Sequence, residues 1–531
     1  MALFDFYLVA GILAHASALF SFFAADDFGF LYTVSQQGIA TVWTVPSDRF
    51  FRPWIWLSFW FDYRIWGLNP IGYHLTNLIL HAANAWWITL IAQEFLRLFR
   101  LMETNRWLPS LAAGLLFLVH PSHTEAVSWI SGRSDVIATF WILPSLFFYL
   151  VHQRTHKNNL LAVSIGLYGL SLLSKESVVT FTFLILILDF LGCLYLPGPK
   201  SSWIQRWGYF GILAVYLVLR RIVLGDWIGG YGSNIHTRLD FSMLERNFLF
   251  FTARALLPSM EYPIHAWIQG IGRVALPGII GALILAAVTL WKARRNERCT
   301  IWIERARLPI LLLVLFLMYA AVLAPVLNLS IHLGGSLGER LIYFPGVFIL
   351  LMLVLIVHAL VRRPGYAVLI CGVLTLFYAA ALHQSNRSWV SAGQLTQQII
   401  HDLGRLGPAR RVIILNLPDT IGGAYVFRNG VKSAYNLFAG PARVEEIRVA
   451  AFQSLASLED GVEVRRLAPG TYEVKTTHPR TYFLNRRIPA QDLAFFQLPE
   501  RARNRVTVRI NEVPVKDRIV YYSLGSLHAL P

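Results

Sequence analysis

Residues 49–81 read RFFRPWIWLSFWFDYRIWGLNPIGYHLTNLILH, and an Asp26-Asp27 pair lies just upstream. Together they set a carboxylate pair, an Arg52-Pro53 step and a His/Asn face at the mouth of the second of many apolar runs. An ionisable side chain in lipid costs roughly 3 kcal/mol or more, so membrane spans carry such groups chiefly where they have a task. Positions 74, 77 and 81 share one helical face, since spacings of three and four bring side chains together.

Composition agrees with a membrane chain. The 531 residues are 56% hydrophobic and 15% charged, with mean hydropathy +0.51. Soluble domains are nearer about a quarter charged, so most of this chain belongs in a bilayer. The net charge of +17 resides in short loops between apolar runs, the pattern of positive-inside topology, and no nucleic-acid partner is expected. Cys193 and Cys371 fall in or beside spans and Cys299 lies in a basic loop, which offers neither a disulfide framework nor a Cys-x-x-Cys metal knuckle.

Apolar runs predict spans near 3–23, 73–96, 108–120, 134–152, 159–174, 177–195, 207–224, 275–292, 308–326, 341–361 and 365–383. A crossing helix needs about 20 residues, so 108–120 is short and ends at the His120-Pro121 break. Residues 241–260 carry Glu245, Arg246 and Arg254 on an apolar background and suit a helix lying at the interface. With eleven spans, the Lys/Arg-rich loops fall on one side, which reads as cytoplasmic. The other side then receives 24–72, 121–133, 175–176, 225–274, 327–340 and everything after 383. Met1 to Phe23 has no basic n-region and reads as an uncleaved first span.

After 383 the pattern changes to short alternating segments at 411–416, 461–467, 471–476, 505–510 and 518–523, with a Pro469-Gly470 turn between two of them. Helical patterns fit 388–406 and 444–456. The expected architecture is a multi-span α-helical membrane domain over 1–383 and a small extracytoplasmic α/β domain over 384–531. That tail holds 20 Lys and Arg against 12 Asp and Glu, and suits contact with anionic lipid headgroups.

Polar residues of the membrane part gather on the expected outer side: Asp26, Asp27, Arg52, Asp62, His74, Asn77 and His81; then His120, His123, Glu125, Arg133 and Asp135; then Lys175 and Glu176; then Arg220, Arg221, Glu339 and Arg340. Each has a plainer alternative. The aspartates also suit a solvated helix end, the 74/77/81 face helix-to-helix pairing, Lys175 snorkelling, and Arg220-Arg221 headgroup anchoring. His120-x-x-His123-x-Glu125 has metal-binding donor types, yet histidines beside a proline equally bond backbone; no cofactor is assigned, and a divalent metal is left open. The chemistry that suits the set is transfer from a phosphate leaving group. Cations hold the phosphate, and one carboxylate base takes the acceptor proton, since phosphate leaves without a matched acid. Neither a G-x-G-x-x-G after a strand nor a P-loop occurs to cradle a nucleotide.

Several motifs carry a family resemblance in order and spacing over roughly residues 20 to 350. They are Asp26-Asp27; Phe51-Arg52-Pro53-Trp54; Gly67-Leu68-Asn69-Pro70-Ile71-Gly72-Tyr73-His74-Leu75-Thr76-Asn77 with His81; His120-Pro121-Ser122-His123-Thr124-Glu125-Ala126-Val127; Gly132-Arg133-Ser134-Asp135; Ser174-Lys175-Glu176; and Glu339-Arg340-Leu341-Ile342-Tyr343-Phe344-Pro345. With these the chain resembles the polyprenyl-phosphate-sugar-dependent GT-C glycosyltransferases, most closely the transmembrane-and-TPR-repeat protein O-mannosyltransferases and their prokaryotic relatives.

The resemblance implies a GT-C fold of about eleven spans and an inverting transfer at a site facing the lumen or periplasm. It implies Asp27 or Asp26 as base, and Lys175, Arg221 and Arg340 on the donor phosphate. Glu125 and His123 shape the acceptor site, with Arg52, His74, His120, Arg133, Glu176 and Glu339 around it. The implied partners are a polyprenyl-phosphate-linked sugar, a protein or glycan acceptor and membrane lipids. The C-terminus departs from the family, because a short α/β domain stands where the eukaryotic relatives carry TPR repeats. That leaves the acceptor open and points to a bacterial or archaeal inner-membrane enzyme, its site and tail facing the periplasm. Two rival readings remain: the same chemistry on a lipid or envelope glycan, and a transporter of lipid-linked sugars. A transporter would show polar groups in both membrane halves and inverted repeats.

Overall fold

The computed structural model describes residues 2–43, 50–103, 105–195, 203–227, 240–259, 307–329, 336–361, 363–440, 444–484, 493–496, 503–510 and 517–530. The predicted span at 275–292 lies outside them. Among the described residues, six helices are long and apolar enough to cross a membrane. They are Pro70–Leu98, Ile130–Thr155, Trp207–Leu224, Arg307–Val326, Glu339–Leu360 and Pro364–Arg405, while Ala2–Ala14, Trp107–Leu118 and Asn158–Leu172 are apolar but shorter.

Local chemistry sets these boundaries. Proline occupies the first helical position in Pro53–Trp66, Pro70–Leu98 and Pro364–Arg405, where its missing N–H is no loss. Asn69 caps the second of these by accepting the Ile71 N–H at 3.1 Å. Gly67, at φ +58, ends Pro53–Trp66 in a conformation that favours glycine. Trp107–Leu118 stops just before the His120-Pro121 break, as expected, and a string of short turns carries the chain from Pro121 to Arg133.

Three stretches differ from expectation. The first run folds only as Ala2–Ala14 plus one 3-10 turn at Ala18–Phe20, and the 24–72 loop holds two helices, Asp27–Gln37 and Pro53–Trp66. Phe241–Leu256 turns Asn247, Phe251, Arg254 and Ala255 into the protein, so one of its faces is packed on the bundle. The predicted span 365–383 and helix 388–406 are one unbroken helix of 42 residues, about 63 Å long at 1.5 Å per residue.

That helix leads into the C-terminal α/β domain. Its strands are β1 (Ala409–Ile414), β2 (Leu417–Ile421), β3 (Ala424–Tyr425), β4 (Val444–Val449), β5 (Phe452–Leu455), β6 (Val462–Ala468), β7 (Thr471–Thr476), β8 (Tyr482–Phe483), β9 (Leu493–Phe496), β10 (Arg505–Ile510), β11 (Asp517–Ser523) and β12 (Ser526–Ala529). They form three small sheets in the orders β12-β11-β1-β4, β3-β2-β5-β8 and β6-β7-β10-β9. The turn at Pro469-Gly470 joins antiparallel β6 and β7, with Gly470 at φ +71. The helix expected over 444–456 is instead β4 and β5. Val444, Ile447 and Val449 are β-branched, and β4 supplies the second parallel partner of the buried strand β1.

One apolar core fills the helical bundle. A second runs without interruption from the first loop (Phe23, Phe28, Ile55, Phe59) through Trp129 and Trp389 into Tyr425, Phe427 and Tyr435 of the α/β domain. The Ala25 N–H donates to the Val426 carbonyl at 2.8 Å, and the Phe28 and Phe427 rings stack at 5.7 Å. Gly430 has φ +83, and a Cβ there would lie 2.8 Å from the Ala25 carbonyl oxygen. Gly430→Ala is therefore expected to lower the thermal midpoint of the detergent-purified chain and to open the α/β domain to protease. Left-handed strain of roughly 1 kcal/mol or more adds to that steric clash. An unchanged midpoint and digestion pattern would contradict this seat.

Candidate active site

The two aspartates part company in space. Asp27 is buried at the start of Asp27–Gln37. Its Oδ2 accepts the Ala24 N–H at 2.9 Å, while Oδ1 accepts the Ser131 N–H at 2.8 Å and the Ser131 hydroxyl. Burial raises the Asp27 carboxyl, the three donors pull it back, Asp26 adds a small push upward, and the balance stands at about 7. Asp26 is half-buried, and its Oδ1 accepts the Asn429 side-chain N–H at 2.8 Å.

Beside them the turn Thr124–Val127 presents Glu125, fully buried. Its Oε1 accepts the Tyr425 hydroxyl at 2.8 Å, and its Oε2 accepts the Arg340 backbone N–H at 2.9 Å. The Arg340 Nε stands 3.7 Å from Glu125 Oε1, with its guanidinium over the Trp129 ring at 5.2 Å. Glu339 takes the Thr124 hydroxyl at 3.3 Å and pairs with Arg254. A second group lies where the helices reach 52, 135, 176 and 220. Lys175 Nζ is 2.5 Å from Asp135 Oδ2, and both are buried. Arg52 grips Glu176 bidentately, at 3.0 and 2.6 Å. Burial would raise the Glu176 carboxyl, but the charge and hydrogen bonds of Arg52 dominate and bring it down to about 2.

The remaining expected residues fall as follows. Arg133, fully buried, holds Asp62 at 2.6 Å and the Tyr73 carbonyl at 3.1 Å, and Asp62 in turn accepts the Thr76 hydroxyl at 2.7 Å. His74 donates to the Ser21 carbonyl at 3.1 Å, Asn77 to Val127 at 3.0 Å, and His81 contacts Tyr343 Oη at 2.7 Å and the Leu118 carbonyl at 3.0 Å. That face therefore joins helix to helix. His120 Nδ1 accepts the Ser122 N–H at 3.3 Å, and His123 Nδ1 donates to Phe117 at 2.9 Å. The His120 and His123 rings stand 5.1 Å apart while Glu125 is engaged by Tyr425, and among the described residues no group of three His, Cys, Asp or Glu side chains is placed to hold a metal.

Arg221 is exposed and donates to the Gly225 carbonyl, away from this cluster. Its neighbour Arg220 is buried, donates to Tyr216 Oη at 3.1 Å, and shares that hydroxyl's surroundings with Glu176 and Arg52. The i to i+1 step on a helix turns a side chain by about 100°, so an Arg-Arg pair offers one residue to each face. Sequence reasoning also missed Ser131, Tyr425, Asn429 and the role of Arg254. Only the last has a signal, an arginine in the middle of an apolar stretch.

No family model matches the chain. Protein O-mannosyl-transferase TMTC2 of Homo sapiens is 42% identical over 109 residues, 20% of this chain and 12% of that protein. Protein O-mannosyl-transferase Tmtc1 of Drosophila melanogaster is 36% identical over 138 residues, 25% and 15% of the two chains. The resemblance read from the motifs is borne out. A protein O-mannosyl-transferase of Caenorhabditis elegans extends it at 22% identity over 408 residues, 73% of this chain and 54% of that one. The chain thus spans about half the length of that relative and under a sixth of the first two. Among solved structures, ArnT from Cupriavidus metallidurans bound to undecaprenyl phosphate gives a TM-score of 0.37 at 14% identity, over 83% of this chain and 85% of that chain. Archaeal AglB from Archaeoglobus fulgidus gives 0.39 at 10%, over 92% and 76%. TM-scores this low support no assignment.

Two measurements probe the site as built. Asp62→Ala strands the buried Arg133 charge and is expected to destabilise the chain by about 3–5 kcal/mol, whereas Asp62→Leu with Arg133→Met recovers much of the loss. Equal midpoints for the two variants would argue against a buried pair. For Asp27, the folded carboxyl at about 7 stands above the ordinary 3.8, so between these pH values the folded chain keeps a proton that the unfolded chain has released. Asp27 thus contributes a stability that is lost as pH rises toward 7. The thermal midpoint of Asp27→Asn relative to wild type is expected to rise from pH 5 to pH 8, and a pH-independent difference would refute the shift.

Proposed function

We propose that the chain is an integral-membrane glycosyltransferase that moves a mannose-like hexose from a polyprenyl phosphate to a hydroxyl of protein Ser or Thr, with inversion. The observation that carries this is the divided aspartate pair: Asp27 is sealed by three donors, while Asp26 beside it keeps solvent access at the seam between the first loop and the α/β domain. The names of the curated relatives support mannose and a protein acceptor.

In this reading the acceptor oxygen attacks the anomeric carbon from the face opposite the phosphate. The anomeric C–O bond breaks, and its electron pair leaves on the polyprenyl phosphate. The acceptor proton passes to the Asp26 carboxylate, with no acid needed at the leaving group. Lys175 and Arg340, with Arg52 and Arg220 nearby, are the cations suited to the departing charge. In this structure Lys175, Arg340 and Arg52 are each paired to a carboxylate, so the phosphate would take the place of Asp135, Glu125 or Glu176 as partner. Glu125 and His123 line the acceptor side. Residues 1–383 form the catalytic part and 384–531 the α/β part, both working on the outer face of a bacterial or archaeal inner membrane.

The test is a transfer assay in nanodiscs with radiolabelled polyprenyl-phosphate-mannose and, separately, the glucose analogue, using membrane extract as acceptor. Asp26→Asn is expected to cut turnover by about 10²–10⁴ with donor binding retained, the usual worth of a positioned base. Lys175→Ala and Arg340→Ala are expected to raise the donor concentration needed for saturation. Full activity of Asp26→Asn would remove the base assignment, and label in a lipid or glycan fraction would transfer the reading to that acceptor.

A further inference from the structure

The α/β domain does more than rest on the first loop. Its segment 425–430 brackets Asp26 on both sides: Val426 takes the Ala25 N–H at 2.8 Å, and Phe427 stacks on Phe28 at 5.7 Å. Gly430 lets the backbone come close to the Ala25 carbonyl, where a Cβ would stand only 2.8 Å away. From this clamp the chain delivers one polar side chain to the pair, the Asn429 carboxamide, which donates to Asp26 Oδ1 at 2.8 Å. Nearby, Tyr425 of the same segment reaches Glu125 at 2.8 Å. The first-loop carboxylate and the Glu125 carboxylate each therefore hold a hydrogen bond from the α/β domain.

The chemistry of the contact fits a base that must stay basic. A carboxamide donates a hydrogen bond but takes up no proton and carries no charge. It fixes the rotation of the carboxylate without setting a charge beside it. It also occupies Oδ1 alone, and a carboxylate offers about four lone-pair directions. An acceptor hydroxyl can therefore still donate to the other oxygen.

We propose that Asn429 is a positioning residue for Asp26, so that the base is set in its working orientation only with the α/β domain docked. This rests on the reading of Asp26 as the base given above. Asn429 acts through Asp26 and touches neither donor nor acceptor.

The experiment compares full-length wild type with Asn429→Ala, Asn429→Asp and Asp26→Asn in the same nanodisc assay, with kcat and KM separated and the pH–rate profile recorded. Asn429→Ala is expected to lower kcat about tenfold, the worth of one hydrogen bond to a charged group, with donor KM within about twofold of wild type. Asn429→Asp sets a second carboxylate beside Asp26, which raises the pKa of the base and moves the acid limb of the profile up by about one pH unit. The midpoint of that limb does not depend on how much protein is folded, so general destabilisation cannot mimic it. Wild-type kcat in Asn429→Ala together with a coincident acid limb in Asn429→Asp would overturn the proposal. If Asp26→Asn is inactive in that case, only the role of Asn429 falls; if Asp26→Asn is active, the base assignment itself fails.

Discussion

The Asp27 carboxylate and its three donors hold the candidate site in shape. Ala24 lies at the end of the first apolar segment and Ser131 in the break between Trp107–Leu118 and Arg133–Thr155, so one side chain ties together two stretches 104 residues apart. A buried carboxylate is tolerated only if its oxygens are satisfied, and three donors meet that demand. The consequence is directional. With Asp27 drawn inward, the next side chain along the turn, Asp26, faces the seam. Gly132 supports the same break, since a Cβ there would come within 2.0 Å of the Glu125 carbonyl oxygen.

Around this anchor the charges come in pairs: Arg52 with Glu176, Arg133 with Asp62, Lys175 with Asp135, Arg254 with Glu339, and Arg340 with Glu125. Pairing lowers the penalty of keeping ions out of water but seldom yields a net gain in stability. Such pairs are better understood as fixing geometry. The pairs at Arg133 and Arg254 are almost wholly enclosed, whereas Arg52 and Arg340 keep 16% and 24% of their side chains exposed. The enclosed pairs brace the helices, and the Arg52 and Arg340 pairs keep the more solvent contact.

Much of this was legible in the chain itself. The apolar runs mark the long helices, the His120-Pro121 step marks a break, and Asp26-Asp27, Glu125, Lys175 and Arg340 stand out because charge is costly beside lipid. What escaped the sequence has physical causes. Adjacent aspartates are indistinguishable until tertiary donors claim one of them. Arg221 and Arg220 differ only in which way the helix is rotated. Ser131, Tyr425 and Asn429 are ordinary polar residues whose partners lie 104, 300 and 403 positions away, a separation no local pattern encodes. A helical pattern fits 444–456, and the parallel pairing of β4 and β5 with β1 and β2 decides otherwise.

The unbroken helix Pro364–Arg405 sets how the α/β domain is presented. A domain hung on a flexible linker meets its target at an effective concentration in the millimolar range, and the chain entropy of each closure opposes docking. A continuous hydrogen-bonded ladder between the two parts leaves no slack segment to order. The segment at 425–430 is thereby held at the first loop as one end of a rod, and the ordering entropy of that contact is spent once, when the chain folds.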